Sequence, residues 1–161
     1  AHASVDREGM WTTGVAATID GGHMKVANVC DSRLYIINGK TITQITTDHS
    51  LVEEMVRMGG LDRESARTHP RKNVITRAVG VTNFVVPDFF DIELKKDDVI
   101  LMCSDGLSNM LEDEEIRMIA CAQRDITEKA EALVRAANQN GGRDNISLII
   151  IEPFANEVEH D

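Results

Sequence analysis

No apolar run in the sequence approaches the roughly 20 residues that a bilayer-crossing helix needs, and nothing in it reads as a membrane span. The first residues show no succession of charged, apolar and small side chains such as a secretory signal carries. Cysteine is scarce: Cys30, Cys103 and Cys121 are the three present, an odd number with no CxxC pair. That argues against a disulfide scaffold or a zinc knuckle and favours a reducing cytoplasm. Positive charge is also in deficit, with 17 Lys and Arg against 27 Asp and Glu and a net charge of −10. This balance argues against general nucleic-acid binding. No internal repeat is present.

What is there suits one domain with a sizeable core: 161 residues, 42% hydrophobic and 27% charged. The basic charge is concentrated. Arg57, Arg63, Arg67, Arg71, Lys72 and Arg77 face only Asp62 and Glu64 over 57–77, a local +4 in a chain whose remainder carries −14. Such an island suits an anionic ligand and equally a solvated helix face.

Taken in order, residues 1–8 are polar, 9–14 form a turn, and Val15 to Ile19 read as a strand. Asp20-Gly21-Gly22-His23 lies between strands and reads as a hairpin turn, not a ligand cluster. Lys25 to Cys30, Leu34 to Asn38 and Ile42 to Ile45 extend this into an antiparallel meander, with Asp31-Ser32-Arg33 as a link and Asn38-Gly39 as a type I′ hairpin signal. Leu51, Val52, Met55 and Val56 have helical spacing, behind a capping box of Ser50 and Glu53. Residues 57–80 are the least core-like segment and read as a mobile flap, with one helical turn over Asp62 to Arg67. Strands follow over Asp88 to Leu94 and Asp98 to Met102. Two helices then run over Asp113 to Ala122 and from a second capping box, Asp125 and Glu128, to Gln139; a last strand spans Ile146 to Ile151. From Pro153 an acidic tail is expected, disordered at its end.

The chain is organised around Cys103-Ser104-Asp105-Gly106, at the tip of the buried-strand pattern. A carboxylate there leaves the sheet within reach of ions, and Gly106 permits a close turn; Ser-Asp-Gly is also ordinary turn chemistry. Asp144 precedes the last strand, so antiparallel neighbours would bring it to the same edge as Asp105, with Asp31 in reach. Three converging carboxylates repel unless a hard divalent ion such as Mg²⁺ or Mn²⁺ binds them, and such ions activate water against phosphate esters. The alternative is three unrelated turn acids.

Several blocks carry a resemblance: Val26-Ala27-Asn28-Val29-Cys30-Asp31-Ser32-Arg33, Thr47-Asp48-His49-Ser50-Leu51-Val52, the stretch from His69-Pro70-Arg71-Lys72 through Arg77 to Gly80, Ser104-Asp105-Gly106-Leu107, and Gly142-Arg143-Asp144-Asn145. In order and spacing they resemble the bacterial branch of the metal-dependent, type 2C serine/threonine protein phosphatases. The resemblance covers Gly9 to Glu152. It implies an α+β fold, an antiparallel β-sandwich between helical layers (α-β-β-α), and hydrolysis of phosphoserine and phosphothreonine by metal-activated water. It implies that Asp31, Asp105 and Asp144 are ligands of two or more Mg²⁺ or Mn²⁺ ions, and that 57–80 is a flap beside the substrate, with His69, Arg71 and Arg77 as substrate-side residues. The partner implied is a phosphorylated protein, with neither nucleic acid nor membrane involved.

The departures shape the expectation. The family's opening segment supplies a phosphate-gripping arginine and an Asp-Gly block that bridges two metals, and neither is matched. Cys30 and Trp11 stand where the family usually has glycine. Residues 1–152 are therefore expected to be the C-terminal portion of a catalytic domain, without its N-terminal strands and first helix, followed by the tail 153–161. The fragment alone is expected to be impaired, with a second chain able to supply the missing strands. A non-catalytic phosphatase-like binding module is the alternative. A Cys-based phosphatase has little support, because Cys103 ends a buried strand with no arginine-rich phosphate loop after it.

Overall fold

The computed structural model describes residues 9–155. Strands β1 (Gly14–Asp20) and β2 (His23–Val29) form a hairpin in which Asp20 pairs with His23. Gly21 and Gly22 make its two-residue loop with φ of +52° and +83°, the conformation a type I′ turn demands. Strand β5 (Asp88–Glu93) joins the other edge of β2, and the order β1-β2-β5 makes one antiparallel sheet. Strands β3 (Arg33–Asn38), β4 (Thr41–Gln44), β6 (Val99–Cys103) and β7 (Leu148–Ile151) make the second, in the order β4-β3-β6-β7, again with every neighbour antiparallel. The asparagine-glycine hairpin is shifted by one residue. Asn38 pairs with Thr41 and donates instead to the Lys96 carbonyl (3.1 Å) and to Asp98 (2.7 Å).

The expected single meander is broken between β2 and β3. The chain leaves one sheet at Val29 and enters the other at Arg33, a change of layer within three residues. Cys30 makes the bend with φ +84°, in the left-handed region.

Among the described residues five helices complete the fold: α1 (Leu51–Arg57), α2 (Arg63–Thr68), α3 (Asp105–Ser108), α4 (Asp113–Ala120) and α5 (Ile126–Gln139). The Ser50 hydroxyl caps α1 by accepting from the Glu53 amide at 3.3 Å, but the Glu53 carboxylate pairs with Arg63 instead of closing a box. Asp125 caps α5 through the Thr127 amide at 2.8 Å. A reciprocal contact forms where the sequence reading did not place one, with the Glu115 carboxylate accepting from the Glu112 amide at 2.8 Å. The expected turn after β6 is the short helix α3. In the 57–80 segment α2 buries no side chain, and Ala78 is the buried hydrophobic. No helix among the described residues is long and apolar enough to cross a membrane.

Alternation along the strands assigns each face. Met24 and Val26 of β2 meet Leu34 of β3 and Ile100 of β6 between the sheets. Phe154 packs there too, so the expected tail is anchored at its start; residues 156–161 lie outside the described residues. On the outer face of the four-stranded sheet, Tyr35, Ile37, Leu101 and Cys103 pack under Leu107, Leu111, Ile116 and Leu133 from α3–α5 and the adjoining turn. Leu133 is fully buried, and such burial stabilises by roughly 1.5–3 kcal/mol per side chain. This rigid layer carries the end of β6 on which Asp105 sits.

Two further devices fix that end of the molecule. Gly106 is needed for space, not for a turn: a Cβ there would stand 2.1 Å from the Asn145 carbonyl oxygen. The segment leading to β7 is thereby pressed onto α3, with the Ser104 amide donating to Ser147 O at 2.9 Å and the Ser147 amide to Ser104 Oγ at 3.1 Å. On the other sheet, Asp88 at the start of β5 holds His49 Nε2 at 2.7 Å and Arg77 Nη1 at 2.9 Å. Partial burial pushes the Asp88 carboxyl upward, but these hydrogen bonds outweigh it and hold it below its ordinary range.

Gly106→Ala forces backbone apart, and we expect a loss of about 1–3 kcal/mol, read as a lower urea midpoint with an unchanged slope; an unaltered midpoint would show the contact to be slack. For Asp88 the folded-state proton affinity is the weaker one, so its contribution is complete above about pH 4 and fades as pH falls through the depressed value. The difference in Tm between wild type and Asp88→Asn should therefore be flat near neutrality and shrink in acid. A difference of equal size at both ends of the range would contradict this.

Candidate metal centre

The register of the four-stranded sheet determines which acids meet. Arg33 of β3 pairs with Cys103 of β6, so Asp31, two residues before Arg33, and Asp105, two residues after Cys103, leave the sheet at the same end. Leu148 of β7 also pairs with Cys103, which brings the segment containing Asp144 to that end. The electrostatics report the proximity. Burial raises the proton affinity of Asp105, and the neighbouring charges of Asp31 and Asp144 raise it further. Asp31 is also pushed up by burial, offset in part by a hydrogen bond from Cys30 Sγ to its Oδ1 at 3.4 Å, with Asp48 adding repulsion.

Asp31 and Asp105 line one cavity of about 840 Å³, which Arg63, Arg67 and Lys72 from the 57–80 segment also line. Three of the cations lining it are committed: Arg33 to Asp48 (Nη2–Oδ2 2.6 Å), Arg63 to Glu53 (2.7 Å) and Arg67 to Glu112 (2.8 Å). Lys72 is the one without an acidic partner among the described residues. Asp144 does not line this cavity; it is exposed, and its Oδ1 accepts from the Asn145 amide at 2.7 Å. Nor do the expected substrate-side residues line it. His69 Nδ1 accepts from the Arg71 amide at 3.1 Å, and Arg77 is turned to Asp88 and to the Val86 carbonyl at 3.0 Å.

Sequence reading gave Arg33 and Asp48 no role of their own, and found Arg63, Arg67 and Lys72 only as members of the basic island. Arg33 grips Asp48 through Nε and Nη2 while its Nη1 donates to the buried Tyr35 hydroxyl at 2.8 Å. Both residues stood inside quoted blocks, but their pairing spans 15 positions and two elements. Trp11 is largely exposed, so the volume it adds at the turn falls outside the core, whereas Cys30 is completely buried.

The donor chemistry fits a hard cation. All the candidate ligands are carboxylate oxygens, with the charges of Asp31 and Asp144 weighing on Asp105 as it stands, and Mg²⁺ is commonly held through one or two carboxylates plus waters and substrate phosphate. Among the described residues, no group of three or more His, Cys, Asp or Glu closes into a metal-holding set, so Asp31 and Asp105 form an open pair. Thiolate chemistry does not compete. Burial pushes both the Cys30 and Cys103 thiols up to about 12, leaving them neutral.

Comparison with known proteins covers most of the chain. The family model described as "Protein phosphatase 2C" matches residues 3–146. The serine/threonine phosphatase stp of Listeria welshimeri is 42% identical over 152 residues, which make up 94% of this chain and 60% of that protein. The structure of the serine/threonine phosphatase Stp1 from Staphylococcus aureus superposes with a TM-score of 0.89 at 37% identity, over 92% of this chain and 58% of that one. The catalytic domain of the serine/threonine protein phosphatase PstP, solved in complex with two manganese ions, gives 0.80 at 32% identity over 89% and 59%. The chain thus spans about 60% of the length of the relatives it matches. The α+β sandwich, the paired antiparallel sheets and the family match agree, and the chain belongs to the protein phosphatase 2C family.

Proposed function

We propose that this chain carries part of the catalytic centre of a serine/threonine protein phosphatase, acting in the cytoplasm on phosphorylated proteins. The observation that supports this most is the cavity that Asp31 and Asp105 share with the basic 57–80 wall. When bound, Mg²⁺ or Mn²⁺ ions, two or more, supply Lewis acidity and a water activated for in-line attack on the phosphoryl group. Asp31 and Asp105 would hold them, with Asp144 as a further ligand beside Asp105. Both carboxylates are pushed up by burial, so a divalent ion relieves the strain of keeping them charged.

The segment 57–80 would form the substrate side. Its Lys72, which lines the cavity without an acidic partner among the described residues, would meet a phosphate or an acidic side chain, whereas Arg63 and Arg67 pair with Glu53 and Glu112. Arg77 would serve from behind, through Asp88. The open Asp31–Asp105 pair supports the expectation that these 161 residues alone are impaired, and a second chain supplying strands would complete the centre. It equally keeps a non-catalytic, phosphatase-like module as the second reading.

Calorimetric titration of the 161-residue chain separates the two. Saturable Mn²⁺ binding that Asp105→Asn abolishes, with p-nitrophenyl phosphate turnover near background, is the expected result. Absence of Mn²⁺ binding would overturn the proposal in favour of the module; rapid turnover by the isolated chain would overturn the impairment.

A further inference from the structure

Cys30 is one of two non-glycine residues with positive φ among the described residues, the other being Asp97. Side chains disfavour this region sterically, and Cys30 is completely buried as well, so no solvent relaxes the turn. Something must hold it, and the groups around it name the candidate. The Cys30 amide donates to His49 Nδ1 at 2.8 Å, and the His49 amide donates back to the Cys30 carbonyl at 3.0 Å. A backbone N–H can only donate, so Nδ1 is the acceptor and the imidazole proton sits on Nε2. That proton points at Asp88 Oδ2, 2.7 Å away, and the other Asp88 oxygen is taken by Arg77. The His49 carbonyl accepts from the Thr76 amide at 2.9 Å, so the histidine is fixed through its backbone as well as its ring.

We infer that His49 is a positioning residue: locked as its Nε2–H tautomer by Asp88 and Arg77, it holds Cys30 in the left-handed bend and so sets where the next residue, Asp31, presents its carboxylate. The Cys30 thiol completes the arrangement by donating to Asp31 Oδ1. The bend is the three-residue passage between the sheets, so a shift in φ at Cys30 swings Asp31 away from Asp105 without unfolding either sheet. The part concerning Asp31 as a ligand rests on the function proposed above; the hold on Cys30 does not.

Glycine tolerates this φ freely, and that gives the test. Nitrogen-15 NMR of the histidine ring should report Nε2 protonated and Nδ1 bare; the opposite tautomer overturns the inference. His49→Ala should lower Tm and weaken Mn²⁺ binding by about ten- to a hundredfold, as loss of a group that orients a metal ligand does. In the Cys30→Gly background the same change should have much less effect on both. If His49 acts only by filling space, its loss is equally damaging in both backgrounds, and that additivity would refute the role. Should His49→Ala not fold, His49→Asn places an acceptor near the Nδ1 position without the Nε2 donor, and should keep part of the Mn²⁺ affinity; no affinity beyond that of Asp31→Asn would count against the inference. If no form binds Mn²⁺, the metal reading fails while the tautomer and the coupling in Tm still decide the hold on Cys30.

Discussion

Two carboxylates are brought together at one end of a sheet against their mutual repulsion, and the rest of the molecule is arranged around that conflict. The convergence is a matter of backbone register. Once Arg33 pairs with Cys103, Asp31 and Asp105 have no freedom to separate except through the Cys30 bend or the start of α3. Both exits are closed. The first is held by His49, the second by the Asn145 backbone pressed against Gly106. On the proposed reading, such constraints would prepare the site for a cation, because the folded sheets already hold like charges together.

The two sheets contribute unequally. The four-stranded sheet, backed by α3–α5, provides the rigid platform on which Asp105 and the Asp144 segment stand. The three-stranded sheet contributes an anchor at its edge, through Asp88 on β5, which reaches His49 and Arg77 at once. One carboxylate therefore links His49, which holds the Cys30 bend, to the basic 57–80 segment. The cavity lies between that segment and the acids, and most of its cations are already paired. Its positive face is thus a scaffold with one uncommitted lysine, not a uniformly charged patch.

Much of this was legible in the sequence where the signal is local. Apolar runs bounded by turn signals marked the strands, the double glycine marked the β1–β2 hairpin, and helical spacing marked α1, α4 and α5. Asp31, Asp105 and Asp144 were legible as strand-end acids. What escaped were facts that depend on long-range pairing. The meander reading failed because nothing between Val29 and Arg33 announces a change of sheet; the left-handed bend falls on a cysteine, not a glycine. Gly106 was read as a turn residue because its real neighbour, Asn145, is remote in sequence. Arg77 was read as facing substrate, yet Asp88, eleven residues on, claims it. Charge counting located the basic island but could not say which of its members were already paired.

The central claim is that Asp31 and Asp105, with Asp144 alongside, form one divalent-ion site at the end of the four-stranded sheet. Paramagnetic broadening of amide signals by substoichiometric Mn²⁺ measures this most directly. The account predicts that resonances of residues 30–32, 104–107 and 144–145 disappear first and together. Broadening that began at the acidic C-terminal residues, or that struck Asp31 and Asp105 at separate Mn²⁺ concentrations, would contradict it.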